Sequence, residues 1–582
     1  MKNPKVSIII PFYNCDYIDQ AIHNALEQTY PTTEVIVVDD GSTKNVEKLQ
    51  SFRGQIRILQ KANGGTGSAL NEGFRNATGE YIAWLSSDDI LAPTKVARQV
   101  QWMKEQRADI SYTNYTLMNS VGNVTHAEAG IGYDTMAGLL QHFQVGCPIN
   151  GSTVMMRREV YETIGEFRED HLYTQDFDYW LRVVQRYHFT YLPEVLTYYR
   201  VHEQMGSQQK KAEQEGEIQT LLQVYADPLL QLIERVTRRR SFTFPVLTLC
   251  QGGAQRMLVE ITNGLVEKGH QVYLLMPSGG VVEFDDVKGT ILRTSKTVLR
   301  AEDFPTTDII VSNFYLTVPV ATEASRAGKG KHIRFSLCYE PMFLQDQHQS
   351  FPTYHATPYV IVLSKFQQQL VSINHGIHSH IVPVGVSDRF FDQGVRFHTG
   401  DKLHVSTILR YQQDQYAWHR EQKYVLETFD HLSKTHPNVQ FSIICPPQEL
   451  ANSRELQAIR QQYHFTFYTP VDDKELAYYY SQSDIFVATS IHESAALPGL
   501  EAMKCGATLV ALHSGGNLEY CRDEENCLLS YRYENRLYTD IERLLQNAEL
   551  RNKLAHQGKE EATQWTWKRS IDKFEEAIWR MI

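Results

Sequence analysis

Short apolar runs alternate with amphipathic segments along the first part of the chain. Val6 to Ile10 is a continuous apolar run typical of a buried strand, and apolar residues recur at helical spacing from Asp16 to Thr29. A second strand-like run, rich in β-branched residues, extends over positions 34–38. Strand, helix and strand in this order predict a βαβ unit with parallel strands.

The same alternation continues to the end of the chain, with one interruption. From about residue 204 to residue 240 the sequence is rich in Gln, Lys and Glu, which predicts a helical connector. Strand-like runs then resume at 244–249, 271–275, 308–311, 359–363 and 381–384, and again at 439–444, 484–488 and 507–511. We therefore predict an α/β fold with one domain at 1–205, a connector at 206–240, and two Rossmann-like domains, 241–400 and 401–582, that face each other.

Composition and charge restrict the function classes. The 582 residues are 42% hydrophobic and 21% charged, as in ordinary folded proteins. Lys and Arg number 57 against 68 acids, a formal charge of −11, so we expect no nucleic acid partner. The eight cysteines form no close pair, which favours a reducing, cytoplasmic location. No apolar run approaches the ~20 residues of a spanning helix, so we expect at most peripheral contact with the inner face of a membrane.

Paired aspartates follow two of the predicted strands, at positions 39–40 and 88–89. Ligands bind beyond the carboxyl ends of parallel strands, so both pairs should converge on one crevice. Carboxylates there suit a divalent cation that neutralises the diphosphate of a sugar nucleotide. We expect Asp89 to bind the metal and Asp88 to reach the ribose or a metal-bound water. Asp40, with Asp39, would accept hydrogen bonds from the base and ribose, and Asp40 would join the other pair around one cation.

Five motifs occur in order between residues 5 and 205: VSIIIPFYN, VVDDGS, NGGTGSALNEGFRNATGEYIAWLSSDD, TQDFDYWLR and YYRVH. This series resembles inverting glycosyltransferase family 2, which has the GT-A fold, and five ordered motifs are far more specific than one DxD. The resemblance implies that Asp176 is the catalytic base that takes the proton of the acceptor hydroxyl. It implies that His202 is a second ligand of a Mn²⁺ or Mg²⁺ ion, and that Pro11 and Tyr13 belong to the nucleotide-sugar site.

Two positions differ from that family pattern. Gln175 stands where an acid usually precedes the base, and Leu70 stands where an arginine is common. Neither change removes the base or the metal site, but Leu70 lacks the charge with which the arginine would contact the phosphates. The alternative roles are structural: a helix N-cap or surface acid for Asp176 and a hydrogen-bonded loop histidine for His202.

The second part of the chain carries a glycine pair and two glutamates. Gly252-Gly253 follow a predicted strand and open a helix, which favours close approach of an anion. The segment SIHESAALPGLEAMKCGATLVA places Glu493 and Glu501 eight residues apart. Together with VPVGVSDRFF, ILRYQQ, REQKYVLETF and HSGGNLEY, it resembles retaining glycosyltransferase family 4, a GT-B fold of two facing Rossmann-like domains, over residues 244–582.

This second resemblance implies a metal-independent site. Glu493 would lie beside the donor sugar and steady positive charge at its anomeric carbon, while Glu501 would hydrogen-bond the donor ribose. Arg410 and Arg420 would pair with the diphosphate. The other implied members of the nucleotide-sugar site are Gly253 and Gly516. The usual Gly-Phe-Gly after the first glutamate is here Ser-Ala-Ala, at 494–496, and Cys527 replaces a common glycine.

The two resemblances together predict a bifunctional glycosyltransferase that resembles bacterial enzymes for surface glycans. Its donors would be UDP-, GDP- or dTDP-sugars, and its acceptor a polysaccharide end, a lipid-linked saccharide or a glycoprotein. Mn²⁺ or Mg²⁺ would serve the N-terminal site only. A single active transferase, with the other half binding glycan or serving assembly, is the alternative. A glycoside hydrolase is disfavoured, because hydrolases rarely need a metal at paired strand-end aspartates.

Overall fold

The computed structural model describes residues 3–106, 108–133, 135–203, 205, 209–250, 252–344, 347–396, 402–410 and 418–582. Residues 206 and 401, at which the connector and the last domain are predicted to begin, and residues 411–413 of the motif ILRYQQ lie outside the described residues. The chain forms two compact units, Met1–Arg238 and Arg239–Ile582.

The first unit is a mixed sheet covered by helices. Its strands are β1 Val6–Phe12, β2 Thr33–Asp39, β3 Arg57–Gln60, β4 Tyr81–Trp84, β5 Ile90–Leu91, β6 Ile110–Met118, β7 Val124–His126, β8 Met155–Arg157 and β9 Phe189–Arg200. Its helices are α1 Ile18–Leu26, α2 Gly65–Asn76, α3 Lys95–Gln106, α4 Met136–Phe143, α5 Arg158–Ile164, α6 Gln175–Val184 and α7 Lys211–Thr237, with shorter 3₁₀ turns at Val46–Phe52 and Gly151–Thr153.

The predicted βαβ unit is present at the centre of this sheet. The strands run in the order β3-β2-β1-β4-β8-β6-β9-β5, with β7 on β6, and β1 pairs in parallel with both β2 and β4. Ile8 and Ile10 pack on the α1 side, whereas Ile9 faces Gly73 of α2, where a Cβ would come within 2.3 Å of the Ile9 side chain. Burial on both faces explains why β1 is apolar throughout. The carboxyl ends of β1, β2 and β4 therefore meet at one edge.

The second unit contains two parallel sheets, one in each of two lobes. The first lobe has β10 Ser241–Pro245, β11 Gln271–Met276, β12 Thr290–Arg293, β13 Ile309–Ser312, β14 Lys331–Phe335, β15 Val360–Val362 and β16 His380–Ile381, in the order β12-β11-β10-β13-β14-β15-β16. The second lobe has β17 His404–Ile408, β18 Gln440–Ile444, β19 Thr466–Tyr468, β20 Ile485–Ala488, β21 Thr508–Leu512 and β22 Leu528–Ser530, in the order β19-β18-β17-β20-β21-β22. Two facing α/β lobes confirm the predicted α/β architecture.

Helices cover both of these sheets. They are α8 Gly253–Glu267, α9 Val318–Arg326, α10 Gln347–Ser350, α11 Lys365–His375, α12 Gln422–Thr435, α13 Pro447–Asn452, α14 Arg454–Gln462, α15 Asp473–Gln482, α16 Leu497–Lys504, α17 Leu537–Gln546, α18 Ala548–Thr563 and α19 Trp567–Met581. Short 3₁₀ turns lie at Ala301–Asp303, Tyr315–Thr317, Glu340–Met342, Phe351–Ala356, Trp418–Arg420, Gly516–Glu519 and Arg532–Glu534. None of the described helices is long and apolar enough to cross a membrane.

The last helix of the chain ties the two lobes together. Phe574 of α19 packs its ring 5.4 Å from that of Phe335 and 6.4 Å from that of Phe244, both in the first lobe. His270 lies 2.8 Å from Glu575 across the same contact. One apolar core contains buried residues of both lobes, so the cleft between the lobes is bounded on one side by packed side chains.

Candidate active sites

The aspartates that end β2 are buried and hydrogen-bonded. The Asp40 carboxylate accepts hydrogen bonds from Lys61 Nζ at 2.8 Å, from Gly64 N at 3.0 Å and from Gly65 N at 2.8 Å. Asp39 Oδ1 accepts one from Ser42 N at 2.9 Å. A carboxylate is favoured at a helix N-terminus, so Asp40 fixes the start of α2 and holds the Lys61 ammonium beside the strand ends.

The two aspartates after β4, Asp88 and Asp89, differ in exposure and in hydrogen-bond partners. Asp89 is 1% exposed, and its two oxygens accept hydrogen bonds from Arg200 N at 3.0 Å and Ser152 Oγ at 2.6 Å. Burial, and then the charge of Asp88, raise the pKa of Asp89 well above its usual range. The Asp88 carboxylate is partly exposed and lies 3.1 Å from His202 Nε2. The structure thus brings together Asp88 and His202, whereas Asp40 and Asp89 each have partners of their own. The role of Asp89 as a metal ligand stays a prediction, with its two oxygens held by Ser152 and Arg200.

Arg200 holds this corner of the site, a role that the sequence did not reveal. Its buried guanidinium donates to Asp88 O at 2.8 Å and to Gln20 Oε1 at 2.9 Å, and it lies 4.2 Å above the Tyr17 ring. The residue occurs in the motif YYRVH, two positions before the expected metal ligand His202, and this place in the motif is the signal that the sequence offers. Arg200 therefore fixes the backbone at Asp88. Because His202 lies two residues after Arg200, the same contact holds His202 near Asp88.

The chemistry of the Asp88 and His202 pair fits a divalent cation. Mg²⁺ is usually bound by one or two protein groups and completes its coordination with substrate phosphates. Among the residues that the structure describes, no group of three or more His, Cys, Asp and Glu side chains is placed to hold a metal ion. Asp88 and His202 are therefore side chains in this corner that could hold such an ion together with substrate phosphates.

Asp176 lies in the first turn of α6. Its Oδ1 accepts a hydrogen bond from Phe177 N at 2.8 Å, and burial raises the pKa of the carboxyl to about 6. Burial, and the nearby Asp176, raise the pKa of the Cys147 thiol. A carboxylate with a pKa of about 6 is ionised at neutral pH and is more basic than an ordinary aspartate, so it can accept a proton.

The long helix α7 caps the loop that enters α6. Glu217 of α7 accepts hydrogen bonds from Leu172 N at 3.1 Å, Tyr173 N at 3.0 Å and Thr174 Oγ1 at 2.8 Å. The hydroxyl of Tyr225, two turns further along α7, donates to Asp178 Oδ1 at 3.2 Å. The connector predicted from composition therefore has a specific contact: it holds the start of the helix that carries Asp176.

The remaining expected residues of the first unit are located as follows. Pro11 lies in β1 and is partly exposed, and Tyr13, just after that strand, is 54% exposed. Leu70, which replaces the family arginine, is fully buried in α2 and cannot contact a phosphate. Lys61, held by Asp40, is a cation at the same strand edge that the sequence interpretation missed.

In the second unit, a cavity of about 540 Å³ lies between the two lobes. Of the residues expected in the nucleotide-sugar site, those that line it are Gly253, Arg410, Arg420, Glu493 and Glu501. Gly516 lies just behind, where its N–H donates to the Glu493 carbonyl at 2.9 Å and where a Cβ would come within 2.3 Å of Ser494. Only glycine permits this approach, so Gly516 fixes the loop that presents Glu493.

The Glu493 carboxylate is held ionised. Burial alone would raise its pKa, but a hydrogen bond from His419 and the charge of Arg420 hold the pKa of Glu493 below its usual value. His419 Nε2 lies 3.6 Å from the Glu493 carboxylate, and the His419 carbonyl accepts a hydrogen bond from Ile491 N at 2.8 Å. The loop before Glu493 and the turn that carries Arg420 are thereby joined.

Glu501 differs in charge from Glu493. Burial, and then the charge of Asp473, raise the pKa of Glu501 to about 8, against the hydrogen bond from Tyr480 and the charge of Arg256. Arg256 of the first lobe donates to Asp473 of the second at 2.8 Å. At neutral pH Glu501 is therefore mostly a neutral acid, which can donate a hydrogen bond as well as accept one.

The two expected phosphate arginines have different surroundings. Arg410 donates from Nε to Glu449 Oε1 at 2.8 Å, so a carboxylate already holds its guanidinium. Arg420 lines the cavity near Glu493, and its carbonyl accepts a hydrogen bond from Thr489 Oγ1 at 2.8 Å. Arg420 is the better placed of the two to meet an anionic ligand.

Two family descriptions match this chain. Residues 7–165 match Glycosyl transferase family 2, and residues 412–561 match Glycosyl transferases group 1. The matches fall in the first and second units and confirm the two resemblances that the motifs indicated.

Three curated relatives illustrate the similarity. An uncharacterized glycosyltransferase of Rickettsia conorii is 36% identical over 211 residues, 35% of each chain, so the match spans about a third of that relative. A putative teichuronic acid biosynthesis glycosyltransferase, TuaG, of Bacillus subtilis is 32% identical over 222 residues, 36% of this chain and 84% of the relative. The UDP-Glc:alpha-D-GlcNAc-diphosphoundecaprenol beta-1,3-glucosyltransferase WfaP of Escherichia coli is 32% identical over 206 residues, 34% of this chain and 77% of the relative.

Proposed function

Since the chain belongs to the family 2 glycosyltransferases and also contains a group 1 glycosyltransferase domain, we propose that it is a bifunctional enzyme with two active sites. The first unit transfers a sugar with inversion and with a divalent metal, and the second transfers a sugar with retention and without one. The observation that carries the proposal is that each unit has its own candidate carboxylate: Asp176 in the first turn of α6, with a raised pKa, and Glu493 in the lining of the cavity between the two lobes.

At the first site, Asp176 takes the proton from the acceptor hydroxyl as its oxygen attacks the anomeric carbon of the donor. Attack on the side opposite the nucleotide inverts the configuration. Asp88 and His202 would hold Mn²⁺ or Mg²⁺, which supplies the positive charge that neutralises the diphosphate leaving group. Asp89 supports the metal corner through Arg200, and Asp39 and Asp40 shape the end of the crevice that receives the nucleotide, with Pro11 and Tyr13 at its rim.

At the second site, the ionised Glu493 lies beside the donor sugar and stabilises positive charge at its anomeric carbon. Arg420 pairs with the diphosphate, joined by Arg410 if Glu449 releases it. Glu501 hydrogen-bonds the ribose, and Gly253, at the start of α8, lets the backbone approach the phosphates. The positive charge for the leaving group comes here from arginine and helix N–H groups.

We propose nucleotide sugars as donors and a growing cell-surface glycan, polymeric or lipid-linked, as the acceptor. The names of TuaG and WfaP, which concern teichuronic acid and a diphosphoundecaprenol-linked sugar, support this class of acceptor. Such an acceptor would place the enzyme in the cytoplasm, at the inner face of the membrane.

Two observations favour a second candidate, in which only the first unit is catalytic and the second binds glycan or donor. Ala496, in the segment that replaces Gly-Phe-Gly, has a φ of 54°, a conformation that favours glycine, and Arg410 is held by Glu449. Both features support a second unit that holds a sugar without transferring it.

Two single variants test the proposal. Asp176→Asn and Glu493→Gln each keep the size of the side chain, and both are compared with the wild type on the same acceptor and nucleotide-sugar panel. We expect each variant to lose a different glycosidic bond from the product, with a rate loss of about 10²-fold or more. Loss of one bond in Asp176→Asn with no effect of Glu493→Gln on any product would establish the second candidate instead.

A further inference from the structure

A row of aromatic rings lies on the second lobe of the second unit. It consists of Trp418, His492, His513, Tyr531 and Tyr533, here called the aromatic ladder. We infer that the aromatic ladder is a saccharide-binding subsite that holds sugar residues of the acceptor glycan next to the second active site. The inference rests on one part of the proposed function, namely that the acceptor is a glycan.

The rings follow one another at stacking distances. The centroids of His513 and Tyr531 are 4.5 Å apart with their planes at 20°, and those of Tyr531 and Tyr533 are 5.5 Å apart at 24°. The Trp418 and His492 centroids are 5.5 Å apart at 63°. Glu493 N donates to the Ser514 carbonyl at 2.9 Å, so His492 and His513, which directly precede these two residues, lie on adjacent backbone segments that connect the two groups of rings.

The ladder is exposed to solvent at both ends. Trp418 is 45% exposed, Tyr531 is 46% exposed and Tyr533 is 82% exposed. A single exposed aromatic side chain needs no explanation, but adjacent exposed aromatic side chains form an apolar patch of the kind that marks a binding surface.

The segment that carries the two tyrosines is held in place. Tyr531 N donates to Glu534 Oε2 at 2.8 Å, and Arg532 Nε donates to Glu421 Oε2 at 2.8 Å while its guanidinium lies 3.8 Å from the Tyr424 ring centre. The tyrosines therefore do not have to be ordered by a ligand, which lowers the entropic cost of binding.

The ladder begins at the loops that build the second active site. His492 directly precedes Glu493, and Glu493 N donates to the carbonyl of Ser514, the residue after His513. Trp418 lies two residues before Arg420, whose charge reaches Glu493. A chain molecule whose end lies at Glu493 can thus continue along the rings.

A saccharide is the ligand class that fits these features. Sugar rings present a face of C–H groups that packs against the electron-rich face of an aromatic ring, and their hydroxyl groups remain available to water or to imidazole nitrogens. A nucleobase would also stack, but none of the described residues that line the 540 Å³ cavity belongs to the ladder.

Calorimetric titration of the full-length protein with maltohexaose, cellohexaose and chitohexaose tests the inference. We expect at least one hexasaccharide to bind the wild type, Tyr533→Ala to weaken that binding about five-fold, and Tyr531→Ala to weaken it further. Tyr478→Ala removes a tyrosine that is 37% exposed elsewhere on the same lobe, and it should leave the affinity unchanged. Because Tyr533 is 82% exposed, its variant should unfold at the wild-type temperature.

Three results would overturn the inference: no binding of any hexasaccharide to the wild type, equal affinity in Tyr533→Ala, or a loss of affinity for UDP or GDP in its place. The last result would assign the rings to the nucleotide. Glu493→Gln separates this inference from the proposed function, because it should retain hexasaccharide binding while losing transfer. If the wild type binds the hexasaccharide through the aromatic ladder and yet transfers no sugar at the second unit, that pair of results would support the saccharide subsite and refute the second transferase activity.

Discussion

The partly buried position of Asp176, the proposed catalytic base, predicts that its ionisation costs stability. Its pKa is raised from 3.8 to about 6, so the folded protein binds a proton more tightly there than the unfolded chain does. The fold bears no such cost below pH 3.8, and the cost develops as the pH rises through 6. A shift of about two pKa units corresponds to about 3 kcal/mol, an upper limit because the side chain is partly exposed.

Asp176→Asn should therefore stabilise the first unit at pH 7.5 while it removes the first transfer. The amide keeps the volume of the side chain and cannot ionise, so the free energy of unfolding should rise by about 1–3 kcal/mol at pH 7.5 and by much less near pH 4. Asp178→Asn is the matched control on the same helix. It breaks the 2.9 Å ion pair with Arg182 inside the fold and should destabilise the unit.

Urea unfolding followed by brief proteolysis measures this effect, because fragments of the first unit can be followed separately from those of the second. The activity of the wild type at the first site should also fall as the pH decreases through about 6. A variant Asp176→Asn that is less stable than the wild type at pH 7.5, or equally stabilised at pH 4 and pH 7.5, would refute the reasoning.

Three further predictions follow from particular contacts. Glu217→Gln should lower the first transfer several-fold with little change in donor KM, because it weakens the cap on the loop before Asp176; an equal loss of the second transfer would contradict this. Ala496→Gly should raise the free energy of unfolding of the second unit by about 1 kcal/mol in denaturant titration, because glycine adopts a φ of 54° without strain, and an unchanged or lower value would refute it. In donor titrations, the affinity at the second site should weaken as the pH rises through about 8, because Glu501 then becomes negatively charged in the pocket of an anionic nucleotide, and Glu501→Gln should abolish that step.

The regular part of the fold could be predicted because its signals are local. The apolar run at 6–10 and the β-branched run at 34–38 correspond to Val6–Phe12 and Thr33–Asp39. Short or inserted strands gave no such signal: Met155–Arg157 is three residues long and pairs antiparallel with Tyr81–Trp84. The strand predicted at 244–249 is instead Ser241–Pro245, because proline has no N–H to continue the ladder.

The sequence could predict which side chains belong to a candidate site when a motif contains them. It could not predict the contacts of those side chains, because the contacting residues are distant in the chain. The spacing of Glu493 and Glu501 indicated one site, and both line the same cavity. The motif at 88–89 could not show which carboxylate is exposed, because that depends on Ser152 and Arg200, which are distant in the chain. Glu217 lies 45 residues from Leu172, so its contact with the α6 loop arises only when α7 folds back.

The most direct test of two separate activities is the anomeric configuration of the products, read from proton coupling constants with and without a chelator. With Mn²⁺ present, the wild type should form one bond with inverted and one with retained configuration relative to the donors. With EDTA, and with the product of the first transfer supplied as acceptor, only the retained bond should form. Two inverted bonds, or equal loss of both transfers in EDTA, would contradict the account.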